Sequence, residues 1–144
     1  MTIVAAVADR LGAHVPRLAN RVAGAAELTQ LLRGRGLPTA PTSAFVLPLG
    51  LQGLPEDGLS GLFRQPVVET IGVFLLLQAD GGEDRALDDL SDLVGEVLGA
   101  LCGWRPGKET GVFRLLRGAI RPVEGGRLGY ELAVQITDQL RVPA

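Results

Sequence analysis

"GVFRLLRGAIRPV" (residues 111–123) and "RLGYELAVQITDQLRV" (127–142) are separated only by Glu124-Gly125-Gly126, and this stretch decides the fold. Leu128, Tyr130, Leu132, Val134 and Ile136 alternate strictly with smaller or polar residues, the period of a strand with one covered face. The glycine pair supplies the positive φ angles that a tight hairpin turn requires. The chain therefore closes on a β-hairpin, and the residues upstream must cover its apolar face.

Immediately upstream, "EDRALDDLSDLVGEVLGAL" (83–101) is the clearest helix. Leu87, Leu90, Val94, Val97 and Leu101 step by three and four residues, while Asp88, Asp92 and Glu96 line another face. The acids of its first turn favour the helix dipole. Before it, "FRQPVVETIGVFLLLQA" (63–79) reads as a long strand. Its second half is apolar on both faces, as in a central strand covered on both sides or by a partner chain. "TSAFVLPLG" (42–50) is another strand, with Pro48 at an edge or strand end because proline cannot donate to the ladder.

Residues 50–62, "GLQGLPEDGLSGL", carry Gly50, Gly53, Gly58 and Gly61 without any period, and read as a mobile glycine-rich loop. Toward the N-terminus, Ile3, Val4, Val7 and Leu11 mark a first helix over 2–13, ended by the residue before Pro16. "RLANRV" (17–22) reads as a short strand, and Ala25 to Arg33 as a second helix closed by "GRG" at 34–36. The order suggests a single α+β domain over 1–144: an antiparallel β-sheet with two to three helices packed mainly on one face, closing with a C-terminal hairpin.

Composition narrows the function. A chain of 144 residues can bury roughly two-thirds of its unfolded surface without staples. One cysteine, Cys102, and one histidine, His14, provide neither a disulfide nor zinc-like spacing, so no metal or cofactor is expected. A formal net charge of −2 argues against a general nucleic-acid binder. The longest apolar run, "VFLLL" (73–77), is far short of the roughly 20 residues that span a bilayer, and Asp9 and Arg10 interrupt the N-terminal apolar stretch. A soluble, intracellular protein with no membrane partner is the expectation.

"GWRPGKET" (103–110) has the look of a phosphate-binding loop, but only Trp104, Arg105 and Pro106 separate its glycines, and Glu109 stands where a hydroxyl should be. Ser43, Ser60 and Ser91 lie in no nucleophile-elbow pattern, His14 has no orienting acid, and "DGGED" lacks calcium-loop spacing. No catalytic constellation emerges. The charge, in contrast, is polarised. Asp80 to Glu96 holds seven acids and one arginine, net −6, whereas Arg105 to Arg127 holds six bases and two acids, net +4.

The succession "FVLPLG" (45–50), a glycine-rich loop, "RQPVVETIGVFLLL" (64–77), "DGGEDRALDDL" (80–90), "LCGWRPG" (101–107) and a closing hairpin resembles the tail terminator proteins of long-tailed bacteriophages and phage-like particles, over nearly the whole chain. The resemblance implies that "GWRPGKET" is the corner from helix to strand, with Gly103 as a left-handed cap and Trp104 as its plug. It implies a structural virion protein, not an enzyme, with no cofactor. Such proteins form a ring, typically of six subunits, on the last ring of the tail tube. There they stop polymerisation and offer a surface to the head-side connector, or stopper, while DNA passes through without sequence-specific binding. The location implied is the head-proximal end of the virion tail, after synthesis in the bacterial cytoplasm.

The alternatives are another neck or head-tail joining protein and, further behind, a small cytosolic ligand-binding domain or enzyme. A ring repeats one heterologous interface, so complementary patches are needed. The candidates are Asp84, Asp88, Asp92 and Glu96 on the acidic helix, Arg114, Arg117, Arg121 and Arg127 on the hairpin, and Leu51, Leu54 and Leu59 as apolar anchors in the loop.

Overall fold

The computed structural model describes residues 2–33, 41–56, 62–79, 82–123 and 126–143. Five strands form one sheet: β1 (Val22–Ala23), β2 (Thr42–Gly53), β3 (Leu62–Gln78), β4 (Arg114–Val123) and β5 (Arg127–Pro143). Their spatial order is β1-β2-β3-β5-β4. Only the β1–β2 pair is parallel. Three helices complete the fold, α1 (Ile3–His14), α2 (Ala25–Leu32) and α3 (Glu83–Leu101). The α+β architecture and closing hairpin match the sequence expectation.

Each helix forms for a local reason. Thr2 caps α1 with a side-chain oxygen that accepts the Ala5 N–H at 3.1 Å. α1 ends ahead of Pro16, which opens a 3-10 turn at Pro16–Leu18. The expected strand over 17–22 is therefore mostly absent. The turn, followed by Asn20 in the left-handed region at φ 60°, leaves only Val22 and Ala23 extended beside Ala44 and Phe45. In α3 the buried stripe is Ala86, Leu90, Leu93, Val97, Ala100 and Leu101, whereas Leu87, expected inside, is exposed. Small alanines let the helix approach the sheet there, a packing detail that an apolar count alone does not reveal.

The core lies on one face of the sheet. Val7 and Leu11 of α1 and Leu93, Val97 and Leu101 of α3 pack on Ala44, Val46, Ile71, Val73, Leu75, Leu132, Val134 and Ile136, which share that face by register. The opposite face carries a smaller apolar set. Phe45 lies 6.4 Å from Phe74, and Leu76 and Ala133 are buried beside them. α2 sits against β2. β3 is central, the first of the two arrangements its two-sided apolar run allowed, and is flanked by β2 and β5.

β2 does not stop at Gly50. It continues through Gly53, opposite Val67, so the first residues of the expected loop are paired strand, while residues 57–61 lie outside the described residues. Pro48 lies past the two-residue β1, where the outer edge of β2 is no longer paired with it, and the register shifts between Pro48 and Gly50. Leu49, the extra residue, folds across Gly72: a Cβ at Gly72 would stand 3.0–3.1 Å from its side-chain carbons.

The consequence for the surface follows from lengths. β5, with 17 residues, extends about 56 Å, but α3, with 19, covers at most about 28 Å and α1, with 12, about 18 Å. The far ends of β3 and β5 therefore project past the helices as a ribbon, joined by β2 only as far as Gly53, opposite Val67, and two-stranded beyond. From buried Ile136 to Val142 this is about 20 Å.

Candidate protein–protein interface

The helix-to-strand corner was expected to hold a plug. Gly103 does adopt the left-handed conformation, φ 84°, and Trp104 N–H donates to the Leu101 carbonyl at 3.1 Å. Two bonds tie the corner to the start of the hairpin, Gly103 N–H to the Phe113 carbonyl at 2.8 Å and Phe113 N–H to the Trp104 carbonyl at 2.9 Å. The buried plug, however, is Phe113. Trp104 is a half-buried lid stacked on it at 5.9 Å and 20°. On the other side the Arg10 guanidinium sits 5.0 Å from the indole centre, while its Nε donates to the Ala100 carbonyl at 2.9 Å.

The phosphate-loop reading fails in three dimensions for a specific reason: Gly107 N–H, which would face an anion, already donates to the Glu109 carboxylate at 2.8 Å. Among the described residues no group of His, Cys, Asp and Glu is placed to hold a metal. A hollow of about 440 Å³ is lined by Ala8, Asp9, Gly12, Ala19, Asn20 and Val22, with no histidine or hydroxyl nucleophile. No described helix is long and apolar enough to cross a membrane.

The predicted interface residues separate into two surfaces. Asp84, Asp88, Asp92 and Glu96 are all exposed on α3; Glu96 is 3.8 Å from Arg17 of the same subunit. Arg114, Arg117 and Arg121 are exposed along β4, the outer strand. Arg121 is held by Glu131 at 2.9 Å, whereas Arg114 and Arg117 make no ion pair among the described residues. Arg127, at the start of β5, is partly buried and already engaged. Leu51 is 70% exposed and Leu54 37%; Leu59 lies outside the described residues.

Two apolar clusters were, apart from Leu51, not singled out from the sequence. On β4, Leu115, Leu116 and Ile120 are exposed, with Val112 just before them. On the ribbon, Leu51, Phe63, Leu140 and Val142 share the helix-side face, where Phe63 pairs directly with Val142. The same face carries Glu69 beside Ile136 and Asp138 beside Val67. The Glu69 carboxyl is raised above the ordinary carboxylate value, first by burial and then by the charges of Asp138 and Glu109. The signal was available: alternation continues past Ile136 through Asp138, Leu140 and Val142, beyond the reach of any helix in the sequence.

Fold and surface together define a small α+β protein whose distinctive features are exposed apolar patches set among charges. Over residues 2–142 the chain matches the phage tail terminator protein family, and it belongs to that family. It is thus a structural tail-completion component of a phage-type virion. Among solved structures it is similar to a chain of the virion of a native gene transfer agent particle, at 16% identity and a TM-score of 0.62, covering 96% of this chain and 95% of that one. A weaker likeness to the type 4 fimbrial biogenesis protein PilO from Pseudomonas aeruginosa has 16% identity, a TM-score of 0.23 and coverage of 66% and 58%, and carries no argument. No curated protein matches the chain.

Proposed function

We propose that this chain assembles into a ring, of six subunits as its family resemblance implies, at the head-proximal end of the tail. The ring caps the last layer of tube protein and halts its polymerisation. Its other side receives the head-side connector, and DNA passes through the opening without base-specific contacts.

The observation that supports this reading is the presence of two different exposed apolar patches on one subunit, the β4 edge and the ribbon. A heterologous interface needs two unlike surfaces, and repeating it about an axis closes a ring. Arg114 and Arg117 of β4, which make no ion pair among the described residues, form the cationic half of that interface. The exposed acids of α3 are one available counterpart. Electron microscopy of particles made without this protein tests the role: overlong or headless tails are expected, and normal tails joined to heads would overturn it.

A further inference from the structure

From the pairing of charge with apolar surface, we infer that the helix-side face of the ribbon, with Glu69 and Asp138 set among Leu51, Phe63, Leu140 and Val142, binds the β4 edge of a second copy of this chain. The pairing presupposes that the chain assembles in rings, and it specifies which surfaces build them.

Two acidic surfaces compete for the arginines of β4. The α3 face has more charges, yet Leu87 is its sole large exposed apolar residue among the described ones. Exposed ion pairs alone contribute little, because water and salt screen them. Affinity between subunits comes chiefly from apolar area, with charge choosing partner and register. The ribbon combines both. Four large apolar side chains lie on one face, each at least 40% exposed, and two carboxylates lie toward its base.

The β4 edge is its complement, met from both sides: Leu115 and Ile120 share the helix-side face and Leu116 is the extra residue, each more than 40% exposed, while Arg114 and Arg117 stand on the other face without an ion-pair partner among the described residues. The two surfaces lie on different parts of the subunit, since β4 pairs with β5 only up to Gln135 and the ribbon face runs outward from the Glu69–Ile136 pair. The contact is thus heterologous, as ring closure demands.

Charge reversal tests the pairing in the purified full-length protein, with ring yield followed by mass photometry and folding by melting curves. Arg114→Glu with Arg117→Glu, and separately Glu69→Lys with Asp138→Lys, should each raise the subunit concentration for half-assembly about tenfold. The quadruple variant should recover to within about threefold of the parent. If instead Asp88→Lys with Asp92→Lys rescues the β4 reversal, the ribbon is not the counterpart and the inference is overturned. Ribbon reversals that leave ring yield intact but abolish attachment to tail tubes overturn it as well, assigning the face to the tube.

A milder variant guards against misfolding. Leu116→Cys with Leu140→Cys in a Cys102→Ser background should give a covalent ladder ending at the ring number on oxidation. Rings that form without the ladder overturn the pairing and leave the ring reading standing. A parent protein that never forms rings at any concentration overturns the ring reading, and the pairing with it.

Discussion

Arg10 reaches from α1 to the Ala100 carbonyl near the end of α3 and lies over Trp104, so a single side chain fastens two helices to the corner that starts the hairpin. Because Trp104 is a half-buried lid, Trp104→Ala should cost about 2 kcal/mol in a urea titration. Phe113→Ala, which opens a cavity beneath the same corner, should cost about 3–5 kcal/mol. Equal costs would mean that lid and plug are misassigned. Glu69 makes a prediction of opposite sign. Its folded-state carboxyl binds protons more tightly than in the unfolded chain, so its contribution to stability falls as pH rises from the ordinary carboxylate value through the raised one. Glu69→Gln should therefore melt higher than the parent at about pH 7, with the difference disappearing near about pH 3. A variant less stable at neutral pH would show that the charged form is favoured inside the subunit.

At the scale of elements, the hairpin, the long central strand and the acidic helix were legible because each repeats one period over many residues. Leu128 to Ile136 alternate as a half-covered strand does, and the two-sided apolar run of β3 called for cover on both faces, within the fold or by a partner chain. What misled was local: Asn20 accepts a left-handed backbone that turned an expected strand into a turn, and glycines at 50 and 53 read as a loop although pairing to β3 holds them extended. Leu93, absent from the expected stripe, is buried while Leu87 is exposed, because helix rotation is set by contact with the sheet, which no single-helix pattern contains. Leu93→Ala, at a fully buried position, should accordingly destabilise by about 2–5 kcal/mol, and Leu87→Ala by well under 1. The ribbon went unnoticed because its function depends on what is missing above it. Hydrogen exchange on the lone subunit should find the amides of β3 over 67–70, flanked by β2 and β5, slower than those at the outer edges of β2 and β5. Uniformly fast exchange would mean that the ribbon is not a formed sheet.

For the molecule as a whole, the inferred contact joins an apolar majority to a charged minority. Raising salt from about 0.15 M to about 1 M, which shortens the screening length from about 8 Å to about 3 Å, should weaken ring formation by less than about tenfold. A loss of many orders would indicate an interface made of ions. The two irregularities in the sheet acquire a meaning at this scale. Both outer ladders carry one extra residue, β2 between Pro48 and Gly50 and β4 between Leu115 and Arg117. Such an extra residue bends a strand and interrupts its row of free N–H and C=O groups, so a second strand cannot zip along it. At high concentration, a subunit with bare strands on both flanks is otherwise a seed for fibres. Deleting Leu116 would restore an unbroken ladder on β4 while keeping the pairs on either side. The expected result is a slow rise in light scattering and thioflavin fluorescence in place of discrete particles, a failure of finite assembly rather than of folding.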